Sequence, residues 1–172
     1  MKRILINLVL VILAFTIQNC IFPQIPFLSA SPNLLLILTF SFGFICGKDA
    51  GMLCGFISGV LMDLFYAGPF GFYTLFFVYV GYVNGIFTKY YYEDYITLPL
   101  ILSVFNELAY NIYIYIFQFL IRNRLDFLFY LREIIVPETI FTVLVTLLVY
   151  RIFLIITRKM EELEKRRDTD FV

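Results

Sequence analysis

Apolar residues run along this chain in long blocks, separated by short gaps that hold the prolines and most of the charges. A helix needs about 20 residues to cross a hydrocarbon core of ~30 Å. On that ruler the blocks predict six spans. The first, 4–22, stops at Pro23 and Pro26. The second, 32–46, is short for a crossing and is expected to open with Ser31 as N-cap and Pro32 at the first helical position. The third, 51–66, ends at Ala67-Gly68-Pro69. The fourth, 70–88, closes on Lys89 and the tyrosines 90 to 92. The fifth, 95–121, is long enough to tilt. The sixth, 134–157, leads into a charged tail, 158–172. The predicted fold class is therefore an all-α polytopic membrane protein: a six-helix transmembrane domain over 1–157, followed by the tail.

Composition removes the soluble alternatives. The 172 residues are 62% hydrophobic and 15% charged, with 21 Phe and 13 Tyr, where a soluble domain carries about a quarter charged residues. One soluble core of this size could not hide so many large apolar side chains. There is no histidine, which excludes Ser-His-Asp, Cys-His and HExxH chemistry. Cys20, Cys46 and Cys54 lie in apolar runs without CxxC spacing and read as core thiols, so no metal site and no cofactor is expected. The net charge is zero, but its order is informative. An even number of spans puts both termini on one side. With that side cytoplasmic, it collects Lys2, Arg3, Lys48, Lys89, Arg158, Lys159, Lys165, Arg166 and Arg167, with Arg151 near the inner end of the sixth helix, against Arg122, Arg124 and Arg132 outside. Both termini are thus expected in the cytoplasm. The first span has the basic start of a signal peptide but is long for one and lacks an A-x-A site; Gln18-Asn19 before Cys20 makes no lipobox, and a retained helix is expected.

Residues that do not belong in lipid point to function. An ionisable side chain at mid-bilayer costs a few kcal/mol even on the mild insertion scale, and Asp63, Glu107 and Glu138 all fall in the middle or outer part of the membrane, with no Lys or Arg at the same depth. Helical spacing puts Ser103, Glu107, Asn111 and Gln118 on one face of the fifth helix with Tyr110 beside them, and Glu138, Thr142 and Thr146 on one face of the sixth. Such faces turn inward. Asp63, Glu107, Tyr110, Asn111 and Glu138 form a candidate polar pocket opening outward. The alternative is interhelical hydrogen bonding that only fixes the bundle.

A second pattern is a glycine series, Gly43, Gly47, Gly51, Gly55 and Gly59, spaced four apart and followed four residues later by Asp63. In the third helix Gly51, Gly55 and Gly59 leave a face without side chains, and Gly81 and Gly85 offer an opposing surface on the fourth. That face serves either packing inside the bundle or docking of a partner's transmembrane helix. In the tail, Glu161 with Lys165 and Glu162 with Arg166 stand at i, i+4, as in a solvated helix or a handle for a partner. The tyrosines around Lys89 suit an interfacial aromatic belt.

From Pro32-Asn33-Leu34, through Gly55-x-x-x-Gly59-x-x-x-Asp63-Leu64-Phe65 and Gly68-Pro69-Phe70-Gly71, to Gly81-Tyr82-Val83-Asn84-Gly85, the chain resembles the rod shape-determining protein MreD family. Family members often carry Asp where this chain has Asn33. The resemblance implies a non-enzymatic inner-membrane scaffold of the bacterial cell-elongation complex, which maintains cell shape and lateral peptidoglycan synthesis. The partners it implies are MreC, the MreB filament, and RodA with its class B penicillin-binding transpeptidase. It also implies a fold similar to the substrate-binding subunits of energy-coupling-factor vitamin transporters. A transport subunit of that kind, with Asp63, Glu107 and Glu138 around a ligand, is the competing function. Those subunits dock through paired small residues in the first helix, where this chain has only Ala14. A membrane enzyme or flippase ranks last.

Overall fold

The computed structural model describes residues 2–24, 31–66, 69–90, 97–120 and 127–169. Their regular structure is entirely helical: α1 Lys2–Thr16, α2 Leu34–Cys46, α3 Lys48–Phe65, α4 Phe72–Ile86, α5 Thr97–Ile114, the single turn α6 Phe127–Tyr130, and α7 Val136–Thr169. Short π and 3-10 turns prolong α1, α4 and α5 and join α6 to α7, so the described residues make six continuous helical rods. Among the described residues three stretches, Asn7–Gln24, Thr97–Phe117 and Leu131–Ile152, are long and apolar enough to cross a membrane. The tyrosine cluster 91, 92 and 95, the outer arginines 122 and 124 and the side chains of the charged tail lie outside the described residues.

Two of the π turns have a cause in the sequence. Phe22 donates its amide to the Ile17 carbonyl just before Pro23, and Val136 donates to Leu131 just before Pro137. Proline has no N–H to give, and its ring crowds the carbonyl four residues back; one turn widened by a residue absorbs both defects without ending the helix. The rods therefore run past the boundaries expected at residues 22 and 134.

The helix α2 is the axis of the fold. It is only 13 residues long, about 20 Å at ~1.5 Å per residue, and every residue from Leu34 to Ile45 is buried. Helices α3 and α4 pack on it and on each other, and α1, α5 and α7 complete the surround. The outer helices are apolar outward and polar inward. On α7, Ile140, Leu144, Leu148, Ile152 and Ile155 are exposed while Thr142, Thr146 and Tyr150 are buried. On α5, Ile101, Phe105 and Ile112 are exposed while Ser103, Glu107 and Asn111 are buried. This inversion of the water-soluble pattern is what a lipid solvent selects, since the hydrocarbon accepts Ile and Leu but offers no hydrogen bond to a polar group.

Candidate functional site

Apart from Gly47, which has open space beside it, the glycine series is consumed within the bundle. A methyl added at Gly43 would stand 2.6 Å from the Gly81 carbonyl oxygen, and one at Gly51 would meet the same oxygen at 2.6 Å. At Gly55 it would overlap the Phe77 carbonyl, at Gly59 the Thr74 backbone, at Gly81 the Gly51 carbonyl and at Gly85 the Lys48 backbone. So Gly51, Gly55 and Gly59 on α3 lie directly on the backbone of α4, and Gly81 and Gly85 face back. Side chains are missing here because main chain occupies their place. Of the two uses open to this face, its own neighbours fill it.

Asp63 ends the same series with a different task. Its Oδ1 accepts the Tyr73 amide at 2.9 Å, and its Oδ2 accepts the Gly71 and Thr74 amides at 3.0 Å each and the Thr74 hydroxyl at 2.5 Å. These are the free N–H groups at the start of α4, whose own N-cap, Gly71 at φ +94°, has no side chain to offer. A carboxylate from α3 thus caps α4 across the turn, where the helix dipole also favours negative charge. The expectation that Asp63 lines the polar pocket is corrected: its oxygens are turned to α4, and it is not among the residues around the cavity.

That cavity encloses about 370 Å³ where α1 and α3 end and where α2 and α7 begin, with Tyr110 of α5 forming its inner wall. Gln18, Asn19, Asn33, Tyr66, Glu133 and Glu138 supply its polar lining. The start of α2 is built into this wall. Asn33, not Ser31, is the N-cap: its Oδ1 accepts the Leu36 amide at 3.2 Å. Gln18 Oε1 accepts the Leu35 amide at 3.2 Å, and the Asn33 amide donates to the Thr142 hydroxyl at 3.1 Å. Side chains from α1 and α7 thereby satisfy backbone donors that water would otherwise hold. Pro32 accordingly precedes the helix rather than opening it. Tyr66 closes one side by donating its hydroxyl to Asn19.

Of the predicted pocket residues, Tyr110 and Glu138 reach the cavity, and Glu107 with Asn111 stand behind it. Asn111 Nδ2 donates to the Glu107 carbonyl at 3.1 Å and to Glu107 Oε1 at 3.3 Å. Glu107 is fully buried, and its Oε2 has no hydrogen-bond partner among the described residues. The two inward stripes do meet: Ser103 on α5 bonds Thr146 on α7 at 2.9 Å. A further link was not singled out from spacing. Asn84 on α4 and Asn106 on α5 exchange amide hydrogen bonds of 2.9 and 3.0 Å, both side chains buried. Asn106 directly precedes Glu107, and its side chain also donates to the Leu102 carbonyl at 2.7 Å, a bond that spacing does not announce. Gln18, Asn19 and Glu133 were equally invisible as lining residues, since periodicity does not say which helix ends converge.

An all-helical bundle with hydrocarbon outside and hydrogen-bonded polar groups inside defines an α-helical membrane protein. Within that class the chain belongs to the rod shape-determining protein MreD family, whose sequence model matches residues 1–160. The family ties the protein to rod shape determination. No curated protein and no solved structure matches the chain.

Proposed function

We propose that the protein is a non-enzymatic, multi-pass scaffold of the inner membrane, with both termini cytoplasmic, that binds MreC and through it helps hold MreB, RodA and a class B transpeptidase in the elongation complex. The family match over residues 1–160 carries this reading. The structure supports it in one respect: α2, α3 and α4 are locked by main-chain contact at the glycines, which suits a rigid platform better than a transporter that must open. The long Lys and Arg excess on the terminal side supports the orientation.

The polar cavity supports a second reading, an energy-coupling-factor type fold in which the cavity binds a small ligand from outside. Co-purification of the tagged full-length protein from its native membrane, followed by mass spectrometry, separates the two. Recovery of MreC with elongation enzymes is the expected result. Recovery of an ATPase-coupled transport module with a stoichiometric small molecule would overturn the scaffold. Gly55→Leu belongs in this experiment as a folding control, because Gly55 faces α4 and no free surface.

A further inference from the structure

We infer that α4 is the contact face of a symmetric dimer of this protein, in which Tyr79 bonds its own counterpart in a second copy within the membrane. Leu75, Tyr79, Tyr82 and Ile86 are all exposed. Their spacing of four, three and four residues draws one seam along α4, the a and d register of a left-handed helix pair. The seam is turned away from α3, which meets α4 at Gly81 and Gly85.

Tyr79 separates this face from the others that lie in lipid. From Ile101 to Ile112 on α5 and from Ile140 to Leu148 on α7 every exposed residue is apolar. On α1 the hydroxyl of the exposed Thr16 is spent on the Ile12 carbonyl at 2.9 Å. Tyr82 lies beneath the Lys48 ammonium, 5.8 Å from its ring centre. Tyr79 is 66% exposed, and its hydroxyl makes no hydrogen bond among the described residues. It is the middle residue of the 15-residue helix α4, about 10 Å from either end at ~1.5 Å per residue, and the exposed Phe65 and Phe70 carry the apolar surface past the first turn. A hydroxyl so placed is surrounded by hydrocarbon, which costs free energy until a second protein surface supplies a partner.

A second copy supplies one. Copies inserted by the same charge pattern share one orientation, so a two-fold axis between them runs along the membrane normal; α4 then lies parallel to its counterpart and each depth meets itself. A phenol both donates and accepts, so Tyr79 finds its partner in its own equivalent. Between Leu75 and Ile86 the helix carries no charge that would repel its copy. Main-chain contact with α3 holds the seam fixed, so little ordering is lost on pairing. The pairing needs only two copies in one membrane and does not rest on the scaffold reading.

The test uses the full-length protein without Cys20, Cys46 and Cys54. A single cysteine from Leu75→Cys or Ile86→Cys is expected to give a disulfide-linked dimer on mild oxidation in native membranes, while Leu144→Cys on the lipid face of α7 stays monomeric. Energy transfer between copies labelled in the tail, followed in liposomes as added lipid dilutes them, reads the dissociation constant. Tyr79→Phe keeps the ring and is expected to weaken pairing by about three- to twentyfold, the worth of one interhelical hydrogen bond in membranes. Equal cross-linking through Leu144→Cys, a monomer at every dilution, or an unchanged constant in Tyr79→Phe would overturn the assignment. So would a photo-reactive residue in place of Ile86 that captures another protein's helix instead of a second copy.

Discussion

Asp63 illustrates how a residue that costs free energy in lipid is retained by what it holds. Four donors converge on its two oxygens, so removing them leaves the first turn of α4 with amides that lack their side-chain cap. Asp63→Ala is expected to lower stability by about 2–3 kcal/mol, from the lost cap and the lost charge-assisted bonds. Asp63→Asn keeps one acceptor oxygen and falls between; urea or thermal unfolding in detergent reads both. Asn33 caps α2 through a side-chain carbonyl oxygen, an atom that Asp would present equally. Asn33→Ala is expected to cost about 1 kcal/mol by the same measurement.

At the scale of elements, the α3 and α4 pair depends on absent side chains. Gly55→Ala and Gly59→Ala put a methyl into the opposing backbone, and backbone cannot swing aside as a side chain does. Each is expected to destabilise by about 1–3 kcal/mol, with larger residues worse. Gly47 and Gly71 act otherwise: both have φ +94° and open space where a methyl would go, so Ala there strains only its own backbone, by about 1–2 kcal/mol at the left-handed Gly71 and about 1–3 kcal/mol at Gly47, whose ψ of 177° lies in a region almost confined to glycine. Thermal unfolding of the four Ala variants reads each loss, and replacement by a larger residue adds to it only at Gly55 and Gly59, where backbone fills the space. The Asn84 and Asn106 pair joins α4 to α5, and a double-mutant cycle with Ala is expected to give a coupling of about 0.6–1.7 kcal/mol, the range of interhelical hydrogen bonds in membranes.

For the whole molecule, the short central helix and its glycine-packed neighbours sit inside a ring whose outer faces are apolar, and the polar cavity opens at the end remote from the chain's start. Site-specific labelling tests the proposed orientation. In a background without Cys20, Cys46 and Cys54, a cysteine at Glu133 is expected to react with a membrane-impermeant maleimide added outside, and one in the tail at Glu164 only after permeabilisation. The reverse pattern would invert the topology and place the cavity on the cytoplasmic side.

Six rods, an inward turn of the α5 and α7 stripes and a close α3 to α4 approach were all legible in the chain, because each follows from local spacing: block length, a four-residue polar register, glycines four apart. Block length alone misplaced Ser31 as the cap of α2 and began the last rod at residue 134 rather than Phe127, since neither capping by a particular side chain nor relief of Pro137 through a π turn is written in the run of apolar residues. What only the tertiary structure decided is pairing. Asn33 meets Thr142 across 109 residues of sequence, Gln18 serves α2, and Asp63 turns to α4 while Glu138 turns to the cavity. Helical periodicity determines which face of each rod avoids lipid, but a polar group on that face takes its partner from whichever rod end packing brings near, and packing is a property of the assembled bundle.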